Sequence, residues 1–411
     1  MNADVRKILA AQGLRAFAYG FGSVLLGASL EARGWSELQV GGLLTALVAG
    51  AALMSLALGT FGERVGRRRW YGALFLGLAW SGVAFGLSDA LWLLVLVALM
   101  GTLSTDVVES GPFTSLEQAM LPSGLDQRAT THVFGVYNAV AALVGSAGAL
   151  AAGGPALLRD LWGGAPVDER FFLVFVPVGM AGAALAWSLS ERVEAGRRVA
   201  GGRVPLARSR AAVFRLSALF SVDAFGGGFI VQSFIAYWFR VKFDVSLEVL
   251  GLIFFGVGLL QAASFLAATR LAQRVGLLNT MVFTHLPSNV LLAFIALAPT
   301  LPIAVALLLA RQALSQMDVP TRQAYLALLV HPEERTAAAA YTNTARHLAR
   351  PLGPLLAGAA QQLALGLPFL LGGGVKILYD VALWLQFRRV PLAHDRTFLE
   401  RDQALAEEVE P

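Results

Sequence analysis

Apolar residues along this chain gather into long runs separated by short polar breaks, and most runs approach the ~20 residues that a helix needs to cross a bilayer. Twelve can be drawn: Ile8 to Ser29, Leu38 to Gly59, Trp70 to Ser88, Leu91 to Gln118, Val133 to Gly153, Phe171 to Leu189, Val213 to Phe239, Leu247 to Thr269, Leu277 to Ala298, Pro302 to Leu329, Thr336 to Gln362 and Pro368 to Phe387. The pattern predicts an all-α membrane protein with twelve transmembrane helices.

The breaks carry the charge. With both termini on one side, that side receives twenty-one Lys and Arg, among them Arg64 to Arg69 and the seven arginines from Arg192 to Arg215, whereas the other side receives five. Basic loops stay cytoplasmic. Both termini are therefore expected in the cytoplasm, and the membrane is expected to be a bacterial inner (plasma) membrane.

The chain also repeats. Arg15-Ala16-Phe17-Ala18-Tyr19-Gly20-Phe21 aligns with Asp223-Ala224-Phe225-Gly226-Gly227-Gly228-Phe229, displaced by 208 residues, and Pro112 aligns with Pro320 at the same displacement. Glu63-Arg64-Val65-Gly66 aligns with Gln273-Arg274-Val275-Gly276, displaced by 210. Parallel repeats of this kind build transporters around a central site. The expected domains are a six-helix bundle over 1–190, a linker over 191–212, a second six-helix bundle over 213–390 and a tail over 391–411.

The break Gly59-Thr60-Phe61-Gly62-Glu63-Arg64-Val65-Gly66-Arg67-Arg68-Arg69 resembles the loop between the second and third helices of major facilitator superfamily transporters, with Glu63 where Asp is commoner. With twelve runs and a repeat, the resemblance covers nearly the whole chain. It implies two pseudo-symmetric bundles, a cavity lined by the first, fourth, seventh and tenth helices, and a latch at the cytoplasmic face. Gly59, Glu63, Arg64, Gly66 and Arg67 are the expected latch, with Glu117 and Arg322 as further gating residues. Spacing alone lets Glu63 and Arg67 pair at i,i+4. The glycine run of the fifth span loosely resembles that of drug and proton antiporters, but its expected Gly-Pro pair is absent.

Composition agrees with the membrane reading, since 56% of residues are hydrophobic and only 14% charged, against about a quarter charged in soluble domains. The net charge of +5 comes from short loops instead of one helical face, which argues against nucleic acid. Without cysteine, neither disulfides nor thiolate metal sites are possible. Arg15 interrupts the first run and no small-residue cleavage site follows, so that run reads as a retained helix. Nothing resembles a nucleotide-binding loop or a nucleophile elbow, so neither an enzyme nor a cofactor is expected.

Candidate chemistry lies in the charges inside the spans, each costing about 2.5–3.5 kcal/mol to insert. Asp106, Glu109 and Asp223 are candidate proton carriers, because a carboxylate at that depth needs a partner or a proton. Arg15, Tyr19, Arg311, Asp318 and Arg346 are candidate cavity residues. Arg311, Ser315, Asp318 and Arg322 share one face of the tenth span, and Arg15 and Asp223, at similar depth, are expected to line one cavity and neutralise each other in at least one conformation. Lys376 and Asp380, at i,i+4, are expected to neutralise each other. His285 is a further candidate proton site, but the ninth helix is usually peripheral in the family that this chain resembles, so a helix kinked at Pro287 with its freed carbonyls met by polar neighbours is the favoured expectation. The combined expectation is a monomeric secondary transporter moving a small organic solute by alternating access, with proton-coupled export favoured. Proton-coupled uptake of an organic anion, held by Arg15 or Arg346, is the alternative, and a transport-inactive receptor or scaffold the remote one.

Overall fold

The computed structural model describes residues 3–104, 111–121, 127–162, 164, 166, 168–198, 206, 208–331 and 334–390. In chain order the first half comprises α1 Ala3–Ala32, α2 Glu37–Val65, α3 Arg67–Leu87, α4 Leu91–Leu99, α5 Pro112–Met120, α6 Gln127–Ala151, α7 Gly154–Leu161 and α8 Phe175–Trp187. The second comprises α9 Arg210–Gly228, α10 Gln232–Phe243, α11 Leu247–Val275, α12 Leu277–Leu297, α13 Leu301–Ser315, α14 Asp318–Leu329, α15 Arg335–Ala349, α16 Leu352–Leu363 and α17 Leu367–Phe387. No strand occurs among the described residues.

Nine stretches of the described residues are long and apolar enough to cross a membrane, the α9 and α10 pair counting as one. The expected fourth, tenth and eleventh spans are each broken into two shorter helices. Their breaks lie before Pro112, at Gln316 and Met317, and at Arg350 and Pro351. Proline ends a backbone hydrogen-bond ladder because it lacks an N–H. Large apolar side chains such as Leu266, Leu378 and Trp92 stand more than two-thirds exposed on the outside, where hydrocarbon is the solvent that suits them.

The repeat is visible as geometry. α2 and α11 have 29 residues each, α3 and α12 have 21 each, and one glycine joins each pair. Gly66 has φ 98° and Gly276 φ 87°, a region that a Cβ disfavours. Every boundary of one hairpin recurs 210 residues later.

Glycine also sets how closely the halves meet. A Cβ on Gly27 would lie 2.4 Å from the Ala236 Cβ, one on Gly41 2.6 Å from the Pro354 carbonyl oxygen, and one on Gly358 2.3 Å from the Glu37 carbonyl oxygen. Gly153 meets Glu248, and Gly251 meets Ala149, in the same way. These contacts join α1 to α10, α2 to α16 and α6 to α11, all toward the face remote from the termini. An ion pair from Arg240 to Glu31 at 3.1 Å closes the same edge.

Candidate functional site

Each half buries its own polar centre. In the first, the Arg15 guanidinium is fully enclosed and donates to Glu117 from Nη2 at 2.8 Å and from Nε at 3.2 Å. Tyr71 and Tyr137 donate to the same carboxylate at 2.8 and 2.6 Å. Tyr19 donates to the Thr102 carbonyl at 2.6 Å, with the guanidinium carbon 5.4 Å from its ring centroid. A buried ion pair repays its desolvation only when further hydrogen bonds satisfy the remaining lone pairs. Here two phenols supply them.

That network corrects three expectations. Arg15 does not neutralise Asp223, because α3, α5 and α6 bring it closer partners within its own half. Arg15 and Tyr19 line neither of the two cavities described below, and Glu117 sits in the core of the half instead of at a gate. Arg67, expected in the latch, donates to the Ala119 and Val193 carbonyls at 3.1 Å each. Its backbone N–H and that of Arg68 bond the Glu194 carboxylate at 2.9 and 3.0 Å, which caps the start of α3. Gly66 lies beside the same carboxylate, so the described contacts of Gly66 and Arg67 stay within the first half. The side chains of Gly59, Glu63 and Arg64 lie outside the described residues, as do Asp106 and Glu109 altogether.

The second half holds the charged cavity. Asp223, near the end of α9, accepts from the Lys376 ammonium, has Arg322 Nη1 at 3.6 Å and has His285 Nε2 at 3.9 Å. Arg322 also donates to Asp318, one turn back on α14, at 3.0 Å. Lys376 thus reaches across to α9, correcting its expected pairing with Asp380. Asp380 instead bonds His285 Nδ1 at 2.8 Å and accepts from Asn289 Nδ2 at 2.8 Å. The kink expected at Pro287 is accompanied by something more specific than satisfied carbonyls: His285 stands between two carboxylates on neighbouring helices.

Asp223, His285, Asp318, Arg322 and Lys376 line a cavity of about 190 Å³. Among the described residues its wall has five cations, Arg311, Arg322, Arg346, Arg350 and Lys376, against two carboxylates, Asp223 and Asp318. The broken helices bring non-helical residues there, through Ile230 and Val231 between α9 and α10, Gln316 between α13 and α14, and Arg350 between α15 and α16. Arg311 is 8% exposed and, among the described residues, has no hydrogen-bond partner at Nε and bonds only the neutral amide oxygen of Gln312, at 3.3 Å. A second cavity of about 460 Å³ lies between the halves, with Thr114, Gln118 and Asn138 on one side and Gln323, Thr342 and Asn343 on the other. Arg322, Arg346 and Arg350 line both cavities. Of the expected cavity residues, Arg311, Asp318 and Arg346 are therefore placed together, whereas Arg322, expected as a gate, belongs to the same cluster.

The family model described as "Major Facilitator Superfamily" matches residues 8–310 and 217–408. The chain belongs to the major facilitator superfamily. An uncharacterized membrane protein of Saccharomyces cerevisiae is 25% identical over 424 residues, covering 94% of each chain. Solved members of the superfamily share the fold at low identity. A D-xylose-proton symporter is 13% identical with a TM-score of 0.75, covering 95% of this chain and 99% of its own. The nucleoside transporter NupG is 13% identical with a TM-score of 0.71, covering 94% and 99%. The human organic anion transporter MFSD10 is 18% identical with a TM-score of 0.63, covering 93% and 100%. This is an integral, multi-pass membrane protein with a transporter fold.

Of the cluster, Asn289 and the cross-helix role of Lys376 escaped sequence reasoning. The signal available was a polar face, since Thr284, His285, Ser288 and Asn289 crowd two turns of an otherwise apolar span.

Proposed function

We propose that this major facilitator protein carries a small organic anion across the membrane by alternating access, with the face bearing its termini in the cytoplasm. Arg311 carries this reading. A guanidinium buried in a cavity without a carboxylate in contact among the described residues holds a charge whose desolvation is only partly offset, by Asp223 and Asp318 at longer range, and an anionic substrate group would supply the missing acceptor. The excess of cations over carboxylates in the wall attracts the same kind of ligand. The cavity charge favours the organic anion of the second expectation over an apolar export substrate. That one neighbour in fold is described as an organic anion transporter is in keeping with it.

The test is ligand-induced stabilisation of the purified protein by benzoate, lactate, succinate and citrate, with xylose and uridine as neutral comparators. Anions should raise the melting temperature, and Arg311→Gln should weaken the effective anion by roughly 10- to 100-fold, the range for a lost charge-assisted hydrogen bond. Stabilisation by xylose or uridine alone, unchanged in Arg311→Gln, would overturn the reading.

A further inference from the structure

We propose that His285, held against Asp380, is the site where this protein binds its coupling proton, and that Lys376 reports the proton's presence by choosing between Asp223 and Asp380. The inference rests on the transport reading above but not on the identity of the substrate.

Charge balance leads to it. Asp380 is 1% exposed, and its side-chain contacts are His285 Nδ1 and Asn289 Nδ2. Asn289 is neutral, so among the described residues the only cation in contact with Asp380 is a protonated His285. With one proton on the pair, the site is neutral overall. Without it, a carboxylate is buried beside a neutral imidazole, an arrangement of high cost unless another cation moves in. Lys376 is that cation. It lies four residues from Asp380 on α17, the spacing at which side chains meet on a helix face, yet here it binds Asp223.

His285 Nε2 and the Lys376 ammonium converge on the same oxygen of Asp223, Oδ1. A proton on His285 therefore supplies positive charge to Asp380 at Nδ1 and faces Asp223 at Nε2, while Lys376 stays on Asp223. Its loss favours movement of Lys376 to Asp380 and leaves Asp223 to Arg322, which stands 3.6 Å away and is shared with Asp318. Arg322 lines both cavities, so the rearrangement reaches the surface between the two halves.

Among the described residues, four helices pack on α12, namely α11, α13, α14 and α17. α17 brings Lys376, Tyr379 and Asp380, α14 brings Asp318 and Arg322, and α13 brings Arg311 at the cavity wall. Asp223 comes from α9 across the cluster. Across the cavity stand Arg346 of α15 and Arg350. α11 carries its charges, Glu248, Arg270 and Arg274, near its ends, away from the cluster. Both His285 and Asp223 line the first cavity. The proton step forms one N–H bond at Nε2 and breaks one O–H bond of a hydronium ion, leaving a water in the cavity and one added positive charge on the imidazole. Imidazole is the side chain suited to such exchange near neutral pH.

The first experiment is nitrogen NMR of the full-length protein labelled at histidine, the His285 signal being assigned from its absence in His285→Gln. The wild-type signal should report imidazolium at mildly acidic pH and neutral imidazole at mildly alkaline pH, and Asp380→Asn should reduce the imidazolium fraction at a fixed pH at least fivefold. A signal that stays neutral throughout, or is indifferent to Asp380→Asn, would overturn the proposal. This readout needs no substrate and stands even if the anion reading fails. The second uses proteoliposomes and radiolabelled benzoate, lactate, succinate and citrate. For an anion that is carried, the ratio of pH-driven accumulation to exchange should fall at least tenfold in His285→Gln and in Asp380→Asn. An unchanged ratio would place the proton elsewhere. Absence of transport of all four by the wild type would count against the anion reading alone.

Discussion

Lys376 passes over Asp380, four residues along its own helix, and binds Asp223 on α9 instead. The choice follows from what surrounds each carboxylate. Asp380 already has His285 and Asn289 at 2.8 Å, whereas Asp223 faces the cavity, where a compact ammonium reaches it beside the bulkier Arg322.

Removing one member of the Lys376 and Asp223 pair should therefore be worse than removing both. Lys376→Met and Asp223→Asn should each destabilise by about 3–5 kcal/mol, because each leaves a buried charge short of its partner. The double variant should recover a large part of that loss. Thermal denaturation of the four proteins in one detergent measures the coupling, and strictly additive losses would mean that the pair is not a unit.

The first half makes an analogous prediction with a different control. Glu117→Gln keeps the shape of the side chain but strips Arg15 of its counter-charge and weakens the bonds from Tyr71 and Tyr137. A loss of about 3–5 kcal/mol is expected. Phenylalanine at either tyrosine alone should cost less, since one neutral donor to a charged acceptor contributes about 1.5–3 kcal/mol and the ion pair would survive. If either single tyrosine variant proves as damaging as Glu117→Gln, the carboxylate is not the centre of the network.

Much of the fold was legible because its signals are local. Runs of apolar residues and single glycines between them marked α2, α3, α11 and α12 and their displacement of 210 residues. Pro112, Pro320 and Pro351 were equally visible, yet the fourth, tenth and eleventh spans read as continuous, since hydropathy runs straight through a break whose freed backbone groups face a cavity. The site was legible as an inventory and not as a pairing. Arg15 and Glu117 are 102 residues apart, and which helix lies against which is decided by packing across the bilayer. Spacing within one helix, the only geometry that sequence offers directly, pointed Lys376 to the wrong carboxylate. His285 was set aside with its helix, although α12 packs on α17 and α14 and so presents its polar face to the charged cluster.

The glycine contacts between the halves predict a conformational effect. Gly358→Ala would place a methyl 2.3 Å from the Glu37 carbonyl oxygen, a backbone atom that cannot turn aside. The clash exists only while α2 and α16 touch, so the substitution should favour the state in which they part. The chain has no cysteine, and Ala236→Cys, buried against Gly27, would be a single reporter. Its labelling by a membrane-impermeant maleimide from the face remote from the termini should rise at least tenfold in the Gly358→Ala background. Equal rates would show that the seam yields without opening.

Arg15 and Glu117 are enclosed together in the first half, each the other's counter-charge. The carboxylates and imidazole facing the cavity are on the other side of the glycine seam. On the proposal that His285 takes the proton, one duplicated hairpin plan would serve as ballast in one copy and as a titrating element in the other. A change of pH would then act on this molecule as a weight placed on one arm of a balance, tilting it without loosening the beam.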